Sequence, residues 1–370
     1  MNQNLQTAVF TCERITSVDF FRGLTMFLLI GESTGMFHYF SEINLGFFQF
    51  IGTQLTHHEW HGLYFWDLIQ PFFMFIVGVA IPFAVANRLK KGATQRSLYF
   101  HALKRSALLF FLGLALYTAG EDKIVFRLQN VLAQLSVTYL VAFLIMRWKW
   151  FYQLALSLAL LLVADIAYRV FPVSGFNQPW EPFLNLGSWV NNWLEGTDKA
   201  SIWASLNAVS TTAHTIWGVL CGKLLMESKP AAEKIKLLVI AGVVALVVGF
   251  GLDLLAVTPI IKKIATASFV FASGGWAMLA LALSYWMIDV KKWTAGTRVF
   301  IVVGMNCIFI YLVFSLGGAD ILGRIYKPFV TAFFGWSGHI FTGMLISSAV
   351  WFSLWYVTYW MYQRKIFIKI

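Results

Sequence analysis

Along this chain, apolar runs of about twenty residues alternate with short basic, acidic or aromatic connections, and that rhythm sets the first expectation. A bilayer core about 30 Å thick takes roughly 20 residues of helix to cross. Ten stretches meet that length: about 18–38, 63–86, 97–118, 125–146, 151–171, 203–226, 234–255, 265–288, 298–317 and 341–362. Hydrocarbon offers no water to an exposed backbone group, so a crossing segment must satisfy its own hydrogen bonds, and runs this long read as helices, not as the short alternating strands of a barrel. The pattern predicts an all-α polytopic membrane protein, a bundle of about ten transmembrane helices forming a single domain over residues 1–370. Two connections are long, residues 39–62 and 172–202, and carry aromatic and amphipathic pieces such as Trp180, Trp189 and Trp193. These are expected on the membrane surface or folded over an outward cavity.

Composition agrees: 59% of residues are hydrophobic and only 12% charged, which excludes an ordinary soluble domain. The net charge of +11 invites a nucleic-acid reading, but the basic residues are distributed as a topology signal. Arg88, Lys90, Lys91 and Arg96 lie between the second and third spans, Lys229, Lys234 and Lys236 before the seventh, Lys291, Lys292 and Arg298 before the ninth, and Arg364, Lys365 and Lys369 at the end. All fall on one side, so both termini are expected in the cytoplasm and the connection before the second span faces outward. The partner this implies is a lipid bilayer, not a nucleic acid. Cys12, Cys221 and Cys307 have no close spacing and read as small apolar residues rather than a disulfide or metal framework. The first fifteen residues lack the apolar core of a cleavable signal, which leaves the first span as the expected insertion signal.

Candidate chemistry concentrates in one place. The fifteen residues from His57 to Pro71 hold three of the seven histidines, His57, His58 and His61, with Glu59, Asp67, Trp60 and Trp66. Asp67 opens the second span, where a carboxylate beside the imidazole of His57 would fix its tautomer and raise its basicity, as acyl-transfer bases require. The alternative is that Asp67 accepts backbone or indole N–H groups in a packed core. His57 and His61 stand four apart, but zinc needs a third ligand and the HExxH pattern is not met, so no metal is expected. Ionisable groups within spans are costly, roughly 3 kcal/mol each. Asp19 and Arg22 are close enough in sequence to pair across one helical turn, whereas Glu32 lies deep in the first span. Arg127, Gln129, Asn130 and Gln134 at the fourth span, His214 in the sixth and Asn306 in the ninth either line one polar cavity or are satisfied core residues.

The opening Arg14-Ile15-Thr16-Ser17-Val18-Asp19-Phe20-Phe21-Arg22-Gly23-Leu24-Thr25-Met26 resembles the start of the heparan-α-glucosaminide N-acetyltransferase family, including its bacterial NagX branch. The resemblance continues through His57, Trp60, Gly62, Leu63, Asp67, Leu68 and Pro71 to Gly78, through Pro259-Ile260, Lys262-Lys263, Thr266 and Ser268-Phe269, through Gly304 and Asn306, and into the basic tail. It implies an enzyme of the bacterial inner membrane that takes an acetyl group from cytosolic acetyl-CoA and delivers it to the amine of a glucosamine-type sugar on the periplasmic side. The family's active histidine corresponds to His57, three residues before Trp60. His58 and His61 acquire no role from it. The family's active-site asparagine near the outer end of the first span has no match, Glu32 or Ser33 occupying that neighbourhood.

The resulting expectation is acyl transfer with His57 as general base or transient acetyl acceptor, oriented by Asp67. CoA is polyanionic, and Arg22, Lys104 and Arg105 are its candidate anchors by charge and position. Glu59, Trp60, Trp66, Lys262, Lys263 and Asn306 are the candidate acceptor-binding residues. A second reading is an amino-sugar permease, which the same spans and buried polar groups would suit, although no inverted repeat is visible. Homo-oligomerisation stays open.

Overall fold

The computed structural model describes residues 15–119, 121, 123–197 and 201–368. Cys12, Arg14 and Lys369, and with them the N-terminal stretch assessed for a signal peptide, lie outside the described residues. In chain order the elements are α1 (Thr16–Ser33), α2 (Met36–Glu42), α3 (Gly46–Gln54), a 3-10 turn (Phe65–Leu68), α4 (Ile69–Lys90), α5 (Gln95–Thr118), α6 (Val131–Ile145), α7 (Trp150–Val170), α8 (Leu186–Glu195), α9 (Asn207–Met226), α10 (Ala231–Leu254), α11 (Ala267–Ser284) running into a π turn (Tyr285–Val290), α12 (Thr297–Gly304), α13 (Cys307–Ser315), α14 (Gly318–Phe334), a 3-10 turn (Gly335–Ser337) and α15 (His339–Gln363). Among the described residues the only extended pairing is an isolated bridge between His61 and Ile261. The protein is therefore all-helical and, by its apolar helices, a multi-pass membrane protein.

The count of ten spans is not carried by the helices. Among the described residues six are long and apolar enough to cross a bilayer: α4 with its leading 3-10 turn, α5, α7, α10, α11 with its π turn, and α15. A seventh is gained if α12 and α13, bent by 74° at the break between them, are taken together. The physical reasons differ for the rest. α1 holds Asp19, Arg22 and Glu32 within 18 residues, α6 has only 15 residues, and α9 carries a run of buried polar side chains from Ser210 to Thr215.

Local chemistry starts the helices where the connections end. Thr94, Asn130, Asn185 and Thr266 each accept a backbone N–H of the first turn of α5, α6, α8 and α11, the usual way of satisfying an orphan donor. The long connection 172–202 contains α8, which presents Trp193 to the surface while burying Gly187, Ser188 and Asn191.

The chain divides into two compact units: Met1–Val18, Trp60–Leu63 and Gln70–Lys291 in the first; Asp19–Glu59, Tyr64–Ile69 and Lys292–Ile370 in the second. In the first, α4 and α9 approach backbone to backbone. A Cβ built on Gly78 would stand 2.1 Å from Thr215 O, and one on Gly218 would stand 2.1 Å from Phe75 O. Small residues allow this contact, which gives helices in an apolar solvent the van der Waals packing that the hydrophobic effect cannot provide there. Gly275 lies similarly close to Gly242 of α10, and Gly274 faces the Trp217 ring. In the second unit, Met36, Phe37, Trp66 and Ile69 form a buried cluster against Leu28, Leu29, Met344 and Trp351.

Candidate active site

The second unit holds the His57–Asp67 pair. α3 ends at Gln54, and the Gln54 side-chain oxygen accepts the Phe65 N–H at 3.2 Å, drawing together the two ends of the intervening loop. Asp67 is the third residue of the 3-10 turn, and its carboxylate accepts the N–H of the capping residue Tyr64 at 2.9 Å. An acidic side chain at this position satisfies a donor that the turn leaves without a partner. The same Oδ2 accepts the His58 N–H at 3.2 Å, while Oδ1 lies 3.0 Å from His57 Nδ1.

The asymmetry of burial matters chemically. Asp67 is 1% exposed, whereas the His57 side chain is 43% exposed. A buried carboxylate is tolerated when donors converge on it, and here two backbone groups and one imidazole do so. An ionised carboxylate only accepts hydrogen bonds, so against it Nδ1 of His57 is the donor, and in the neutral imidazole Nε2 then carries the lone pair. The imidazole is thereby held at one edge by a buried carboxylate and remains partly exposed. That arrangement suits proton abstraction or attack on an acyl carbon.

The remaining predicted residues take varied places. Trp66 is buried at 4% exposure, its ring set edge-on to Phe37 and 6.4 Å from the His57 ring. Glu59 is exposed. Trp60, in the first unit, donates its indole N–H to Trp180 O at 2.7 Å. Lys262 and Lys263, also there, both place their ammonium groups over the Trp203 ring, at 5.5 and 5.7 Å. Lys104 is exposed on α5, and Arg105 stacks its guanidinium on Tyr139 at 4.6 Å. Arg22, in the second unit, pairs with Asp19 at 3.0 Å. Asn306, fully buried at the break between α12 and α13, holds the C-terminal tail by donating to Ile366 O and accepting the Ile368 N–H.

The polar group at the fourth span resolves into local structure. Arg127 and Gln129 both donate to the buried Glu195, Asn130 caps α6, and Gln134 accepts from Gln70. His214 Nε2 meets Ser273 Oγ at 2.9 Å in the core of the first unit. His61 takes its own carboxylate, Asp253, 192 positions away. Sequence reading missed Gln54 and Tyr64 as organisers of the dyad. For Tyr64 a signal was present, an acidic residue three positions on at the start of a helical run. For Asp253 no local signal exists.

Comparison with known proteins follows the same lines. The family model described as heparan-alpha-glucosaminide N-acetyltransferase, catalytic, matches residues 14–197. That interval contains His57 and Asp67 and stops short of Lys262, Lys263 and Asn306. The chain is similar to the heparan-alpha-glucosaminide N-acetyltransferase of Mus musculus, 30% identical over 149 residues, which cover 38% of this chain and 20% of the relative. It is similar to that of Homo sapiens at 31% over 137 residues, covering 35% of this chain and 18% of the relative. The match thus spans about a fifth of the length of these curated relatives.

Proposed function

The chain belongs to the heparan-α-glucosaminide N-acetyltransferase family, and on that premise we propose that it is a transmembrane acetyltransferase. It takes the acetyl group of cytosolic acetyl-CoA and transfers it to the amine of a glucosamine-type sugar on the outward side of a bacterial inner membrane, as in the NagX-like branch. One observation carries the reading: a solvent-open imidazole, His57, held at Nδ1 by the buried carboxylate of Asp67, inside the interval matched by the catalytic model.

The chemistry follows from the lone pair on Nε2. The sugar amine attacks the thioester carbonyl, a C–N bond forms, the C–S bond breaks, and the amine proton passes to Nε2 while CoA leaves as a thiolate that is then protonated. If Nε2 itself attacks first, the acetyl group rests on His57 and the amine displaces it in a second step. Either route needs an imidazole of fixed tautomer, which Asp67 supplies. Lys104 and Arg105, adjacent on α5, are the proposed contacts for the phosphates of CoA, since cations paired with phosphate oxygens give short, charge-assisted bonds.

Proteoliposomes with labelled acetyl-CoA inside and glucosamine outside test the proposal. External N-acetylglucosamine carrying the label is the expected product, whereas inward movement of unmodified sugar without acetylation would identify a permease instead. His57→Ala is expected to lower turnover by about two to four orders of magnitude while the protein remains folded and still binds CoA. Undiminished turnover in that variant removes His57 from the site. Label retained on His57 after rapid quench separates the two-step route from direct transfer.

A further inference from the structure

The segment Trp60–Leu63 is fastened within the first unit by contacts that the chemistry above does not use. Trp60 donates to Trp180 O, and its ring packs against a cluster that includes Tyr168, Ile261 and Ile264. Gly62 N–H donates to Ile260 O at 2.9 Å, with φ at 146°, a region that side-chain-bearing residues rarely adopt. His61 pairs with Ile261 as an isolated antiparallel bridge. Its Nε2 stands 2.7 Å from Asp253 Oδ1, and that same oxygen accepts the Ile260 N–H at 2.8 Å.

Asp253 lies in the last turn of α10, where a carboxylate opposes the helix dipole and is disfavoured unless donors meet it. Imidazole and backbone N–H supply those donors. The pair therefore fixes residue 61 against the end of α10. His57 precedes Trp60 by three residues and Asp67 follows Leu63 by four, so the fixed segment is the middle of the loop that carries the dyad at its two ends. Pinning the middle divides one ten-residue closure into two short ones and removes chain entropy that would otherwise loosen the His57–Asp67 contact. Orientation is worth this much because a misplacement of about 1 Å at a reacting group costs on the order of a hundredfold in rate.

We propose that His61, held by Asp253, is a positioning residue for acetyl transfer: it fixes the loop whose ends present His57 and Asp67. The proposal rests on the acyl-transfer reading for its kinetic consequence, but its structural consequence is independent. Full-length His61→Ala in proteoliposomes is expected to lose about tenfold to a hundredfold in kcat, with KM for acetyl-CoA and for glucosamine changed less than about twofold. Hydrogen exchange in peptides spanning residues 56–66 is expected to accelerate, because the His58 and Tyr64 amides donate to Asp67. His61→Gln, which places an N–H donor near the position of Nε2 without a ring, restores both readouts. Adding Asp253→Asn to His61→Ala lowers kcat no further.

A kcat for His61→Ala within about twofold of wild type, or unchanged exchange in those peptides, overturns the assignment. So does a raised KM for glucosamine at constant kcat, which would make His61 a substrate contact. If the wild type forms no acetylated sugar and the exchange result still holds, the acyl-transfer reading fails and the loop-positioning role stands.

Discussion

At the scale of single residues, Asp67 does two jobs with two oxygens. Oδ1 orients His57, and Oδ2 closes the loop through the N–H groups of His58 and Tyr64. Substitutions separate them. Asp67→Asn keeps the shape and an acceptor oxygen but removes the charge and permits the wrong imidazole tautomer. Acetyl transfer is expected to fall by about two orders of magnitude or more with thermal stability close to wild type. Asp67→Ala leaves two backbone N–H donors, part-buried at His58 and Tyr64, without their acceptor, at up to about 1–3 kcal/mol each. A clear drop in the unfolding temperature in detergent checks this. Equal unfolding temperatures for the two variants would mean that Oδ2 does not hold the loop. The dyad was legible in sequence because its members are ten residues apart at the mouth of an apolar run. The His61–Asp253 pair was not, since only folding brings 192 positions of separation to 2.7 Å.

At the scale of elements, the helices follow their caps and their apolar lengths, and their packing follows glycine. Gly78 and Gly218 let α4 and α9 meet at backbone distance. Gly218→Val would drive a branched side chain into Phe75 O, which cannot move aside as a flexible side chain can. The helices must separate, and a loss of about 1–3 kcal/mol or more is expected. Thermal unfolding of the purified protein in detergent measures it; an unchanged midpoint would show that the α4–α9 contact is slack. Hydropathy marked ten apolar stretches but passed over α3, α8 and α14. Among the described residues six or seven helices meet the length and composition of a span, the charges spread along α1, the short length of α6 and the bend at Asn306 accounting for part of the difference. Asn306 is a case in point: its sequence context suggested a ligand-facing amide, whereas its side chain is engaged by the tail at Ile366 and Ile368.

At the scale of the whole molecule, charge distribution makes the strongest claim, that basic connections stay in the cytoplasm. In a background lacking the native cysteines, Thr197→Cys in the connection after α8 is expected to react with a membrane-impermeant maleimide in intact cells, and Lys91→Cys between α4 and α5 only after permeabilisation. Both sites are exposed. The reverse pattern would put His57 on the cytoplasmic side and end the case for transfer across the membrane.

The sequence by itself determined that this is a helical membrane protein that resembles an acetyltransferase family, and that ionisable side chains crowd between His57 and Asp67. It could do so because apolar length, basic flanks and residues a few positions apart are local quantities, written directly in the order of side chains. Which carboxylate each histidine takes, which polar residues serve as structure, and where an apolar run bends or breaks were decided only in three dimensions. Those outcomes depend on contacts between distant segments and on bends and burial, to which no local pattern is bound.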